Sequence, residues 1–202
     1  MRPDQQSTRR EQERSRVTRQ RLMEAAVECL VEYGWAGTTT TVVAERAGVS
    51  RGAQLHHYPT RGELVVAAVQ HLGRARFEEL LGAAEALPLG PRRTETVLTM
   101  LADLYTGPLF KAALELWVAA RTDRQLHDVA APLESEIGRE THRVAVRLLN
   151  ADETRPGVRE AVQATMDFLR GLGLADVLSD DRRRRTRLIR QWASMLDATL
   201  NG

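Results

Sequence analysis

Apolar residues recur along this chain at helical spacing, and they never alternate over a run long enough to build a sheet. Leu22, Ala26, Cys29, Leu30 and Tyr33 form one stripe, which predicts a helix over 16–33 ended by Gly34. Val43, Ala44 and Ala47 give a short second face, with Thr38 or Thr39 as its cap. Gly48 supplies a sharp turn, Val49 plugs it, and Ser50 caps a further helix that Pro59 stops after Tyr58. Thr60-Arg61-Gly62-Glu63 is a capping box, opening a helix through Leu64, Val65, Ala68, Val69 and Leu72 towards Gly82. A loop over 85–93 follows, then helices over 94–105 and 109–120, with Pro108 suited to the first turn of the latter. The span 122–150 reads as one long helix with Pro132 as the place for a kink. A linker over 151–157 precedes helices over 158–172 and from the Ser179-Asp180 cap to about Leu200. The pattern predicts an all-α fold of about nine helices with no internal repeat.

Composition narrows this little. The 202 residues can hold two small domains, and 28% charged residues do not mark a disordered chain. The net charge of +2 does not by itself suggest nucleic acid. The first 62 residues hold ten Arg against seven acidic residues, a net of +3, which leaves −1 for the rest. Lys111 is the sole lysine. Arginine suits phosphate and guanine, although GC-rich coding explains the preference more plainly. The lone Cys29 excludes an internal disulfide and sits on the first core stripe. No leader-like apolar segment opens the chain, and no apolar run approaches the ~20 residues of a membrane span, so a cytoplasmic protein is expected.

No Ser–His–Asp set, metal-ligand spacing or phosphate loop is present, so neither enzyme activity, cofactor nor metal is expected. His56 and His57 are adjacent on a helix, diverge by roughly 100° and cannot chelate together.

The two short helices around Gly48 read as a helix-turn-helix, whose second helix enters the major groove. Ser50, Arg51, Gly52, Ala53, Leu55, His56 and His57 on that second helix are the candidate DNA contacts. Thr40 and Thr41 join them from the first helix, and Arg61 as a phosphate clamp at the start of the next. The segment 1–15 reads as a flexible arm, a solvated tail unless Arg9, Arg10 and Arg14 reach a minor groove.

These residues closely resemble the TetR family of transcriptional regulators. The resemblance covers about 16–65. It rests on the first helix ending Tyr33-Gly34-Trp35, on Thr38-Thr39, on Val43-Ala44-Glu45-Arg46-Ala47-Gly48-Val49-Ser50-Arg51-Gly52-Ala53, and on His57-Tyr58-Pro59-Thr60-Arg61 with Leu64. It implies a DNA-binding head (16–62), a helical effector-binding and dimerisation body (63–202), and a homodimer joined by its last two helices. A ligand-responsive repressor that leaves a palindromic operator on binding a small-molecule effector is then expected. One departure matters: the family usually has Leu at the position of Gln54 and an aromatic residue at that of Leu55. We expect Leu55 to face outward and Gln54 to be partly buried. The same departure supports the alternative of a helical ligand- or partner-binding protein that no longer reads specific DNA.

In the body, Leu101, Tyr105, Phe110, Leu114, Trp117 and Phe168 are the candidate effector pocket, against plain core packing. Val162, Met166, Leu169, Leu188, Trp192 and Met195 are the candidate dimer interface. The run Arg182–Arg185 reads as solvated surface.

Overall fold

The computed structural model describes residues 3–87, 90 and 92–201. Nine α-helices and one 3-10 turn make up the described residues: α1 Pro3–Gly37, α2 Thr40–Ala47, α3 Arg51–His57, α4 Arg61–Glu85, α5 Arg93–Ala102, the 3-10 turn Asp103–Tyr105, α6 Pro108–Ala120, α7 Arg124–Leu149, α8 Val158–Ala175 and α9 Arg182–Asn201. The all-α expectation holds. Of the loop expected over 85–93, Pro88, Leu89 and Pro91 lie outside the described residues.

Two expectations change. The arm expected over 1–15 is, from Pro3 onward, the first turns of α1, while Met1 and Arg2 lie outside the described residues. The chain also does not divide at 62/63. One compact unit is Met1–Leu72 with Ala112–Leu133, and the other is Gly73–Lys111 with Glu134–Gly202.

The first unit buries the α1 stripe, with Leu22, Ala26, Cys29 and Leu30 sealed from solvent, together with Val43, Leu64, Val65 and Ala68. Burial pushes the Cys29 thiol up, so it stays a neutral packing group. Gly34 breaks α1 with a left-handed φ of 63°, which a side chain rarely tolerates. Tyr33 is not part of the core; its ring is exposed, beneath the Arg46 guanidinium.

The second unit has its own core, built from Val97, Leu98 and Leu101 of α5, Val144 and Leu148 of α7, Val162 and Leu169 of α8, and Ile189, Ala193 and Leu196 of α9. α7 runs unbroken through Pro132 and ends at Asn150, whose φ of 51° turns the chain into the linker. The Arg182–Arg185 run is largely neutralised on the spot. Arg182 bonds Asp180, Arg184 bonds Asp181 and Arg185 bonds Asp176, each at 2.7 Å. The Arg182 bonds hold the Asp180 carboxyl at about 2.

Candidate nucleic-acid interface

The local signals of the helix-turn-helix form as their chemistry dictates. Thr39 Oγ1 accepts the Val42 amide at 3.2 Å and caps α2. Gly48 closes α2 with φ 65° and ψ 35°, the left-handed conformation the turn requires. Ser50 Oγ accepts the Ala53 amide at 3.2 Å and caps α3. At the start of α4 the capping box is reciprocal: Glu63 accepts the Thr60 amide and Thr60 accepts the Glu63 amide, both at 3.1 Å.

Those caps set how α3 is turned. Arg51, Gly52, Leu55 and His56 are exposed and share one face, Ala53 and His57 lie at its margins, and Gln54 is fully buried. Leu55 is outward as expected, while Gln54 is more buried than expected. Its Nε2 donates to the Tyr58 carbonyl at 2.6 Å, and its Oε1 is sealed in without a partner. A buried acceptor without a bond costs about 1–3 kcal/mol, more than the ~1 kcal/mol that the one bond contributes. Gln54→Leu is therefore expected to leave stability unchanged or raise it by up to about 1 kcal/mol, read as the midpoint of urea unfolding.

Thr40 is half-buried and Thr41 exposed at the start of α2. His57 has its pKa lowered, first by burial and then by the neighbouring His56 and Arg19, so at neutral pH it offers a neutral imidazole rather than a cation. The effect of Arg19 brings out a residue that sequence reasoning passed over. It is exposed on α1 close to the recognition helix, and the α1 stripe gave no reason to single it out.

Arg61 departs from its expected role as a phosphate clamp. Its Nη1 donates to the Trp35 carbonyl at 2.8 Å and the Thr38 carbonyl at 3.1 Å, and its guanidinium lies 3.9 Å from the centre of the Trp35 ring. Burial lowers its pKa, with Asp123 opposing. Glu115 meets the same connection from the other side, accepting the Trp35 amide at 3.0 Å. Thr38, fully buried, donates its hydroxyl to the Gly34 carbonyl at 2.7 Å. Arg46 ties α2 back to α1 through Glu32 at 2.5 Å and the Tyr33 hydroxyl at 2.7 Å. The recognition helix thus stands on a segment whose irregular backbone groups are bonded internally.

In the second unit the structure redistributes the expected residues. Leu101 is sealed in the core, Tyr105 and Phe110 meet edge to face at 5.5 Å, and Phe168 stacks on Trp192 at 4.7 Å. Leu114 and Trp117 belong to the first unit. Val162, Met166 and Leu169 are taken up by the subunit's own core, which removes them from the expected interface. Leu188 and Trp192 are half-buried and Met195 is 56% exposed.

With this geometry in place, the comparisons with known proteins agree. Residues 22–68 match the family model described as bacterial regulatory proteins, tetR family. The chain is 30% identical over 144 residues to Rv2912c, an uncharacterised HTH-type transcriptional regulator of Mycobacterium tuberculosis, covering 71% of this chain and 74% of that one. A transcriptional regulator from Pseudomonas aeruginosa PAO1 has the same fold, with a TM-score of 0.70 at 24% identity over 89% of this chain and 90% of that one. So does the multidrug binding protein EbrR, solved with proflavin, with a TM-score of 0.58 at 23% identity over 89% and 99%. The chain belongs to the TetR family of transcriptional regulators, which bind DNA through a helix-turn-helix and are not enzymes. Among the described residues no cluster of metal-binding side chains occurs, and no helix is long and apolar enough to cross a membrane.

Proposed function

We propose that this chain is a ligand-responsive repressor acting on DNA in the cytoplasm, which binds a palindromic operator as a homodimer and leaves it when a small-molecule effector occupies the second unit. The observation that carries this is the exposed face of α3. Arg51, Gly52, Leu55 and His56 are free to meet base edges and phosphates, while Gln54 is turned inward. That inward Gln54 also argues against a head that has lost its DNA face, because the departure from the family pattern is absorbed inside. Two-fold pairing is supported by the flank of α8 and α9 that the subunit's core covers only in part, where Phe168, Leu188 and Trp192 are half-buried and Met195 is exposed. A dimer of heads reads a palindrome, with half-sites about one helical turn or a small multiple apart. The effector acts only as far as it prefers the conformer whose heads mismatch the operator.

Gel-shift titration against DNA upstream of its own coding region tests this. Arg51→Ala is expected to cost about 1–3 kcal/mol of discrimination between operator and random duplex. Equal weakening on all DNA would make Arg51 a phosphate contact. No preference of the unaltered protein for any palindrome would sink the proposal.

A further inference from the structure

The second unit holds a cavity of about 400 Å³ between α7, α8 and the 3-10 turn, inside the range of small-molecule pockets. It lies on the flank of α8 that carries Arg159, Gln163 and Arg170, away from the flank of Phe168 and Trp192. Two features of its wall point to a ligand.

The first is Tyr105. It is 7% exposed and lines the cavity, and its hydroxyl completes no well-formed hydrogen bond, although Arg170 and Thr141 lie close enough to act on it. Buried phenols normally find one. Thr141, the polar neighbour on the wall, already gives its hydroxyl to the Ile137 carbonyl at 2.7 Å. Burial raises the Tyr105 pKa, so the phenol keeps its proton and can donate.

The second is charge. Arg139, Arg159 and Arg170 line the cavity against Asp167 as the sole carboxylate of the wall. Asp167 accepts from Arg170 at 3.1 Å. Glu153, outside the wall, bonds His142 at 2.8 Å and Arg159 at 3.3 Å and offsets part of that positive charge. The arginines outnumber the carboxylates, which suits an anion. Met166 and the Tyr105 ring supply the cavity's apolar side.

We propose that this cavity binds an amphipathic organic anion, its acidic group taken by the arginines and the Tyr105 hydroxyl and its apolar part laid against Met166 and the Tyr105 ring. This rests on the reading of the second unit as the effector-binding part and names the effector's chemical class.

Fluorescence titration of the full-length protein with 1-anilinonaphthalene-8-sulfonate and with N-phenyl-1-naphthylamine, the same rings without the sulfonate, tests it. The anionic dye is expected to bind saturably, one per chain, at least tenfold tighter than the neutral one. Arg139→Gln, at an exposed position, is expected to weaken the anionic dye about tenfold and leave the neutral dye unchanged, which also shows that the variant is folded. Tyr105→Phe is expected to weaken the anionic dye several-fold. Equal binding of both dyes, or anionic-dye binding that neither Arg139→Gln nor Arg159→Gln alters, would overturn the proposal. Gel shifts with and without saturating dye separate the two readings. Arginine-dependent dye binding with unmoved DNA affinity keeps the anion site and rejects effector control, whereas DNA release by a dye insensitive to both arginines rejects the site.

Discussion

Replacing Gly173 with alanine is expected to destabilise the second unit by about 2 kcal/mol, although alanine is the better helix former. An added Cβ would fall inside the contact distance of the Tyr105 carbonyl oxygen and carbon, both backbone atoms, and of the Tyr105 Cβ. Backbone cannot rotate aside as a flexible side chain can, so either α8 or the 3-10 turn must move. Overpacking of this kind costs about 1–3 kcal/mol, and the upper end applies here. The gain in helix propensity returns about 1 kcal/mol. For a chain of this size the thermal midpoint should fall by roughly 4–8 °C. Gly82→Ala in α4 is the matched control: nothing lies within 4 Å of its added Cβ, so it should stabilise by up to about 1 kcal/mol. If both substitutions move the midpoint the same way, the close approach of α8 to Tyr105 is not what fixes residue 173.

Arg61→Ala is expected to cost about 2–4 kcal/mol of stability in the first unit and to weaken DNA binding on every sequence alike. The loss comes from the Trp35 and Thr38 carbonyls, which would give up a charged donor, and from the uncovered Trp35 ring. Arg61→Lys should recover only part, because an ammonium cannot lie flat on the indole. Thermal unfolding and the salt dependence of DNA affinity, measured together, decide the role. A phosphate contact would reduce the salt slope by about one and leave unfolding untouched. The strut predicts the reverse: a lowered melting temperature and an unchanged slope.

The two arginines of the head show how far the sequence could be read. Arg51 lies one residue after a Ser cap, and cap, turn glycine and helix period are interactions within four residues. Its exposure on α3 therefore follows from neighbours in sequence, and the structure agrees. Arg61 follows a Thr cap in the same way, but its guanidinium is claimed by carbonyls 23 and 26 residues earlier. No local pattern signals that. Gln54 lies between these cases: the resemblance put it where the family has a Leu and so turned it inward, while its complete burial and its orphaned Oε1 depend on the packing around it. In the second unit the apolar stripe of α8 was legible, but not what covers it. Val162 and Leu169 suit a dimer seam and a subunit core equally well, and only the placement of α5, α7 and α9 assigns them to the core.

The sequence by itself determined the helices, their caps, the turn at Gly48 and the family to which the head belongs. Each depends on interactions between residues a few positions apart, or on a motif read in one stretch. The tertiary structure decided which arginine of the head stays exposed and which is bonded to backbone carbonyls. It also decided which flank of α8 and α9 is only partly covered, and that Tyr105, Arg139, Arg159 and Arg170 line one cavity. Tyr105, Arg139 and the pair on α8 come from three elements tens of positions apart, so their meeting depends on how long-range packing closes, which the periodicity of one helix does not encode.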